Sequence, residues 1–169
     1  MIRPILTYGA PELEKKSAPI LKFDEELKVL ARDMLETMYA APGVGLAAPQ
    51  IGMNSRLVVI DISAGQEKNA QIVLANPEIL EEEGSQKGEE GCLSIPGFTA
   101  IVERPYRVRV KAQDLEGNDL EMEGEELLAR ALCHEIDHLD GILYLDRISV
   151  LKRDLIKRKI RKLARAGEW

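Results

Sequence analysis

The sequence lacks any apolar run of roughly 18 residues, the length that a membrane-spanning helix requires. Its opening residues, MIRPILTYGAPELEKK, contain acidic side chains and two prolines where a signal peptide needs a continuous apolar segment. The chain also has only two cysteines, Cys92 and Cys133, which are too few for a disulfide framework. We therefore expect a cytoplasmic protein whose cysteines are free thiols or metal ligands, with a single Cys92–Cys133 disulfide as the alternative.

The composition is that of an ordinary globular protein, with 45% hydrophobic and 31% charged residues. The sequence contains no internal repeat and no low-complexity tract, so nothing in it indicates a disordered or repetitive architecture. Its length of 169 residues suits a single domain that spans residues 1–169.

Charge is distributed unevenly along the chain. The net charge is −6, yet residues 150–165, VLKRDLIKRKIRKLAR, carry eight lysines and arginines against one aspartate, a local charge of +7. A basic run of this kind is commonly a solvated helix face, and otherwise indicates contact with an anionic partner.

Apolar residues recur at helical spacing in three segments, which predicts helices over residues 24–43, 124–141 and 150–165. Short runs rich in β-branched residues predict strands at 56–62, 71–77, 99–105 and 106–114, with a further short run at 120–123. The connections between these strands are too short for helical crossovers, so the strands should pair antiparallel. The pattern predicts an α+β fold in which helices pack on a mainly antiparallel sheet, with the second helix central and the third one C-terminal.

Both histidines of the chain lie in the segment HEIDH, residues 134–138. On a helix, His134 and His138 project side by side and can bind one metal ion. Glu135 then lies beside the ion, where its carboxylate can accept a proton from a water molecule. This is the HExxH pattern of metallohydrolases, although two histidines on a helix can also simply be exposed.

A third protein ligand has to be a thiolate or a carboxylate, because the chain has no other histidine. Cys133 projects away from His138 on a helix, so we expect it to face apolar packing. Asp140 could complete a closed structural site, but that site would leave Glu135 without a role. Cys92 lies in the segment GEEGCLSIPG, predicted as a loop whose glycines permit close approach, and its thiolate with two imidazoles would leave a position open for water.

The segment PGVGLAAPQ, residues 42–50, superficially matches a dinucleotide-binding fingerprint. It follows a predicted helix instead of a strand, and Pro49 forbids the helix that should come next, so we expect no nucleotide cofactor. Gly43 can end the preceding helix and Gly45 can occupy a turn. The same loop can expose backbone amides to a substrate and direct the side-chain amide of Gln50 at developing negative charge.

The segments GVGLAAPQ, EGCLS and HEIDH occur in this order, and together they resemble the peptide deformylases, which remove the N-formyl group from the initiator methionine of new bacterial polypeptides. The resemblance covers nearly the whole chain. It implies that Cys92, His134 and His138 bind one metal ion and that Glu135 is the general acid and base. The family typically works with Fe²⁺, whereas Zn²⁺, Ni²⁺ or Co²⁺ can occupy the same ligands.

The resemblance also implies how a substrate is bound. Gln50 and the backbone amide of Leu93 would bind the formyl oxygen as it becomes an oxyanion, and the peptide would lie extended along a strand edge. Pocket positions for the methionine side chain would be Val44, Leu127 and Ala131. The full set of implied substrate-binding positions is Gly43, Val44, Gly45, Glu90, Gly91, Leu127, Arg130 and Ala131.

Arg130 is a cation at a position that tends to be apolar elsewhere in this family. It suggests a preference for acidic residues further along the substrate. The basic segment 150–165 corresponds in position to a C-terminal helix that docks bacterial members on the ribosome near the exit tunnel, so we expect contact with ribosomal RNA, with a solvated helix as the alternative.

Two rival functions follow from the same residues. One is another HExxH metallopeptidase or amidase, which cuts internal bonds; the cysteine in place of a downstream carboxylate ligand argues against it. The other is a non-catalytic, ribosome-associated protein that binds a structural metal, and it predicts no catalytic role for Glu135.

Overall fold

The computed structural model describes residues 1–169, which form three α-helices and seven β-strands. The helices are α1 (Glu25–Ala40), α2 (Leu127–Leu139) and α3 (Val150–Arg165). The strands are β1 (Gly45–Ala47), β2 (Leu57–Ile60), β3 (Ile72–Glu83), β4 (Gln86–Cys92), β5 (Ile95–Arg104), β6 (Arg107–Gln113) and β7 (Asp119–Glu125). None of the helices is long and apolar enough to cross a membrane.

The strands form two antiparallel sheets. Five of them make one sheet in the order β1-β2-β3-β6-β7, and β4 and β5 make a separate hairpin. Every neighbouring pair is antiparallel, as the short connections predict. The predicted α+β fold is therefore confirmed.

Helix α1 begins and packs as its sequence predicts. The Asp24 side chain accepts a hydrogen bond from the backbone N–H of Leu27 (3.1 Å) and so caps the first turn. The apolar face of α1, which includes Leu30, Met34 and Met38, is buried in a core that also contains residues of β1 and β2. The helix ends slightly before its predicted boundary, and the N–H of Gly43 then donates to the carbonyl of Met38 (2.8 Å).

Helix α2 is buried along almost its whole length, since only its first two residues lack buried side chains. Leu132, Ile136 and Leu139 pack into a core formed with strands of the larger sheet. Gly141 follows the helix with a φ of +75°, a conformation that suits glycine and ends the helix as predicted. The polar residues of HEIDH are thereby carried into the protein interior.

Two strands are absent from the sequence prediction. Gly45 lies in β1 instead of a turn, and Cys92 is the last residue of β4 instead of a loop residue. Strand β4, with the sequence QKGEEGC, has no β-branched or aromatic residue, so its own composition favours a loop. It is extended because it pairs with β5, from Gln86 opposite Arg104 to Gly91 opposite Thr99.

A third apolar cluster connects the hairpin to α3. Its buried members are Ile95, Val102, Leu143, Tyr144, Leu145 and Ile160. Partly buried residues pack against it, among them Tyr8, Cys92, Phe98 and Trp169. The hairpin is therefore packed against the C-terminal part of the chain.

Candidate metal centre and substrate cavity

Cys92, His134 and His138 meet where the end of β4 reaches α2. Their ligand atoms all lie within 4.8 Å of one another, and Cys92 Sγ is 3.4 Å from His138 Nε2. The one-turn spacing on α2 brings the two imidazoles together, and the β4–β5 hairpin brings the thiol to them. The structure thus assembles the three residues that the sequence suggested as metal ligands.

The other residues weighed as third ligands lie elsewhere. Cys133 is in the core between α2 and the larger sheet, and burial raises the pKa of its thiol to about 12, which disfavours the thiolate that a metal needs. Asp140 forms an ion pair with Arg56 (3.0 Å). Both cysteines are free, so the alternative disulfide is absent.

Glu90 orients one of the histidines. His134 Nδ1 donates to Glu90 Oε1 (2.8 Å), which leaves Nε2 for the cluster. Arg104 donates two hydrogen bonds to the same carboxylate (2.8 and 2.9 Å). Burial opposes ionisation of Glu90, but the hydrogen bonds from Arg104 and His134 outweigh it and lower the pKa of this carboxyl. Glu90 is therefore held as an anion beside His134.

Asp137 extends this buried network along α2. It accepts from Arg104 Nη1 (2.7 Å) and from two nitrogens of Arg147 (2.8 and 3.1 Å). Sequence reasoning missed all three residues. The sequence did contain a signal for Arg104. It occupies an inward-facing position of the predicted strand 99–105, and a buried arginine requires an acidic partner.

Glu135 is enclosed beside the cluster. The residue is 5% exposed, and its Oε2 has no hydrogen-bond partner in the protein. Burial raises the pKa of Glu135 to about 7. A carboxyl group that titrates near neutrality can accept a proton and return it within one reaction.

Gly45 leaves the space that the Glu135 carboxylate occupies. A Cβ atom at this position would lie 2.5 Å from Glu135 Oε1, closer than non-bonded atoms approach. The same Cβ atom would lie 2.9 Å from Cδ and 3.0 Å from Cγ of Glu135, so the whole carboxylate end of the side chain would have to shift.

Gly45→Ala should therefore lower kcat for the reaction at this site by about a hundredfold, since small displacements of a reacting group carry losses of that size. The metal content should be unchanged, because neither Gly45 nor Glu135 belongs to the three-residue cluster. Steady-state kinetics and elemental analysis on the same preparation test both statements. Full activity in this variant would contradict the idea that the position of Glu135 is critical.

Gln50 is aimed at the cluster by its own backbone surroundings. Its Oε1 accepts from the backbone N–H of Ala47 (2.9 Å), which fixes which end of the amide faces the site. Nε2 then donates to Ser94 Oγ (3.0 Å) and lies 3.6 Å from Cys92 Sγ. The donor end of Gln50 is thus directed at the place where negative charge can develop.

A cavity of about 790 Å³ opens in front of these groups. All eight suggested substrate-binding positions line it, together with Gln50, Cys92, Leu93, His134 and Glu135. Lining residues that sequence reasoning missed include Ile5, Glu89, Ile95 and Phe98. Their positions depend on how the N-terminal segment and the hairpin fold back on the site, and no local pattern indicates that.

Arg130 lines the cavity, but its guanidinium is turned inward. The residue is 7% exposed, and Nη1 donates to Glu90 Oε2 (2.6 Å) and to the carbonyl oxygens of Gly88 and Val102. Arg130 therefore neutralises the carboxylate that orients His134. A preference for acidic substrate residues stays a prediction, and a cation paired in this way offers a substrate less charge than a free one.

The three-residue cluster fits a divalent metal ion. Burial lowers the pKa of His138 well below its usual value, so the ring stays neutral and retains a lone pair for a metal. One thiolate and two imidazoles leave at least one coordination position open, as in catalytic sites. Several first-row metals accept such ligands.

The HExxH helix, a cysteine thiol that converges on its two histidines and an enclosed glutamate beside a cavity together define a metallohydrolase-type site. Residues 2–154 match the family described as Polypeptide deformylase. The chain belongs to this family, whose members are metal-dependent and remove N-formyl groups from newly synthesised polypeptides.

The similarity to individual relatives extends over the chain. A peptide deformylase from Acidobacterium capsulatum is 56% identical over 100% of this chain and 99% of its own. One from Alkalilimnicola ehrlichii is 52% identical over 98% of this chain and 93% of its own. A crystal structure of a peptide deformylase from Legionella pneumophila has a TM-score of 0.91 and 48% identity, covering 99% of this chain and 98% of that one. The predicted deformylase function is confirmed, and its substrates are formylated nascent peptides.

Proposed function

We propose that Cys92, His134 and His138 hold the metal of this deformylase and that Glu135 is its proton carrier. The observation that carries the proposal is the convergence of three ligand atoms within 4.8 Å beside a buried carboxyl group that has an unpartnered oxygen. When bound, a divalent cation supplies Lewis-acid chemistry and lowers the pKa of water. The protein groups around it then have separate tasks.

Glu135 accepts a proton from the water that adds to the formyl carbon. The C–N bond of the formamide then breaks, formate leaves, and Glu135 returns the proton to the departing amine. The Nε2 group of Gln50 and the backbone amide of Leu93 donate to the formyl oxygen while it carries negative charge. Each such donor typically lowers the barrier by about 3 kcal/mol.

Two free strand edges support an extended binding mode for the peptide. Strand β1 pairs only with β2, and β4 pairs only with β5, so each has one unpaired edge. Gly45 on β1 and Gly91 on β4 both line the cavity. A peptide backbone between them can form main-chain hydrogen bonds whatever its side chains are, while Val44, Leu127 and Ala131 enclose the methionine side chain.

We propose Fe²⁺ as the native ion, on the basis of the family resemblance, with Zn²⁺, Ni²⁺ and Co²⁺ as ions that the same ligands accept. Protein purified without oxygen should contain about one iron per chain and release formate from formyl-Met-Ala-Ser. Air should inactivate this preparation through oxidation of the iron or of the Cys92 thiolate.

The control for the iron prediction is the same protein reloaded with Ni²⁺. It should keep its activity in air if the iron is what oxidises, and lose it if the Cys92 thiolate is. Elemental analysis and formate release are measured on one sample at each stage. Iron-loaded protein that stays fully active in air, or anaerobic protein that contains another metal, would contradict the assignment.

We further propose that α3 contacts ribosomal RNA. Its lysines and arginines are mostly exposed, and Ile160 is its only buried residue, so the basic face is free of the protein core. The triple replacement of Arg158, Arg161 and Lys162 by glutamate should weaken ribosome binding. The slope of log affinity against log salt concentration should become less steep by about two to three units, because roughly one counterion is released per phosphate contact.

A matched control reverses three exposed lysines elsewhere, Lys16, Lys22 and Lys68. Both triple variants should retain the turnover of a free formyl-Met tripeptide, because none of the six residues lines the cavity. If the two variants have equal ribosome affinities and equal salt dependence, α3 does not contact ribosomal RNA and is only a solvated helix.

A further inference from the structure

We propose that Trp169 is a positioning residue of the substrate cavity. It holds the part of the hairpin that carries Phe98, and through this contact it sets the affinity for substrate. The proposal deepens the function proposed above and rests on it. Trp169 lies beyond residues 2–154, which match the family, so the role belongs to a part of this chain outside that match.

Phe98 needs support because the strand ladder does not hold it. Gly91 on β4 pairs with Thr99, but the next residue, Cys92, pairs with Ile95. The three residues 96–98 therefore have no partner on β4 and bulge out of the hairpin. Phe98 lies in this bulge and lines the cavity, so its position depends on side-chain packing.

Trp169 supplies that packing. Its ring centroid lies 6.0 Å from that of Phe98, with the two planes tilted by 58°, within the range of favourable aromatic pairs. Tyr144 supports the same residue through its backbone, since its hydroxyl donates to the carbonyl of Phe98 (3.2 Å). Two aromatic residues thus hold the bulge, Trp169 at the ring of Phe98 and Tyr144 at its carbonyl.

Trp169 is itself anchored to the chain next to the site. Its Nε1 donates to the carbonyl of Tyr8 (2.8 Å), and the N–H of Tyr8 donates to the carbonyl of Ser94 (2.8 Å). Ser94 Oγ accepts the hydrogen bond from Gln50 Nε2 (3.0 Å). The indole therefore joins the end of the chain to the segment between Cys92 and the bulge.

The packing of helix α3 sets the position of Trp169. Ile160 is 3% exposed in the apolar cluster that also contains Ile95 and Val102 of the hairpin, and Ile156 packs against it. Helix and hairpin are thereby packed together, so the indole is presented at a defined place. The opposite, solvent-facing side of α3 offers a control, since Leu151 is 73% exposed and belongs to no core cluster.

The first test compares Trp169→Ala, Trp169→Phe and Leu151→Ala in the metal-loaded full chain. Trp169→Ala should raise KM for formyl-Met-Ala-Ser by about tenfold, the effect of losing one aromatic pair, with kcat within about twofold of the parent protein. Trp169→Phe keeps an aromatic ring and should restore most of the affinity, and Leu151→Ala should match the parent. An unchanged KM in Trp169→Ala would overturn the proposal, even if its thermal midpoint falls.

A second measurement needs no variant of Trp169. It is the only tryptophan of the chain, so tryptophan fluorescence reports on the surroundings of this one indole, which include Phe98 and the carbonyl of Tyr8. Saturating the metal-loaded protein with the product peptide Met-Ala-Ser should change the intensity or wavelength of its emission, and Leu151→Ala should give the same change. Unchanged emission at saturation would overturn the proposal. Failure of the proposed function would appear differently, as no formate release by the parent protein.

Discussion

Replacing Glu135 by glutamine should lower kcat for deformylation by about a thousandfold, the usual size of a general acid–base contribution. The amide keeps the shape of the side chain but cannot take a proton from water or return it to the amine. The bound metal should remain at about one ion per chain, because Glu135 is not among the three converging ligand residues. Formate release and elemental analysis on the same sample separate the two effects.

Glu78→Gln is a suitable control, since Glu78 is exposed on β3 and lies outside the cavity.

In the parent protein, kcat/KM should fall as the pH drops through the pKa of Glu135, because a protonated carboxyl group cannot accept a proton. Burial raises that pKa to about 7, and a nearby divalent cation would lower it. A Glu135→Gln variant that retains normal turnover would exclude the proposed role and would favour a structural metal.

Cys92→Ala should abolish stable metal binding, and with it nearly all activity. Removing even an indirect partner of a metal ligand commonly costs 10- to 100-fold in affinity, so loss of a ligand should cost more than about a hundredfold. The measurement is the metal-to-protein ratio after dialysis against buffer without added metal. The protein should still fold, because Cys92 is only partly buried and packs at the edge of its apolar cluster.

Cys133→Ala is the matched control, because it removes the other thiol of the chain from a position next to His134 in sequence. Its metal content should equal that of the parent protein, since Cys133 packs in the core away from the cluster. The reverse pattern, with metal retained in Cys92→Ala and lost in Cys133→Ala, would assign the third ligand to Cys133.

The helices could be predicted well because short-range interactions decide them. In α1, apolar residues from Leu27 to Met38 share one face, Asp24 caps the first turn and the helix stops just before Pro42. The same local logic predicts that His134 and His138 act together, since one helical turn separates them. These features depend on residues close in sequence, so a single sequence contains what is needed to find them.

Strand β4 could not be predicted, because it has no strand propensity of its own. Its sequence is polar and glycine-containing, and it is extended only because β5 offers a complementary edge. The direction of Arg130 is a similar case. From the sequence it is a cation beside the pocket. In the structure its guanidinium donates hydrogen bonds to Glu90, Gly88 and Val102. The buried guanidinium requires a paired charge, and Glu90 provides it.

The sequence by itself determined the helices, the pair of histidines with Glu135 between them, and, through three ordered motifs, the family and its reaction. The tertiary structure decided which atoms meet: that Cys92 Sγ reaches His138 Nε2, that Glu90 orients His134, and that Trp169 packs on Phe98. The physical reason is range. Periodicity, capping and spacing act within a few residues, whereas these contacts join residues from 44 to 71 positions apart. They exist only once α2 has packed on the larger sheet and the hairpin has packed with α3.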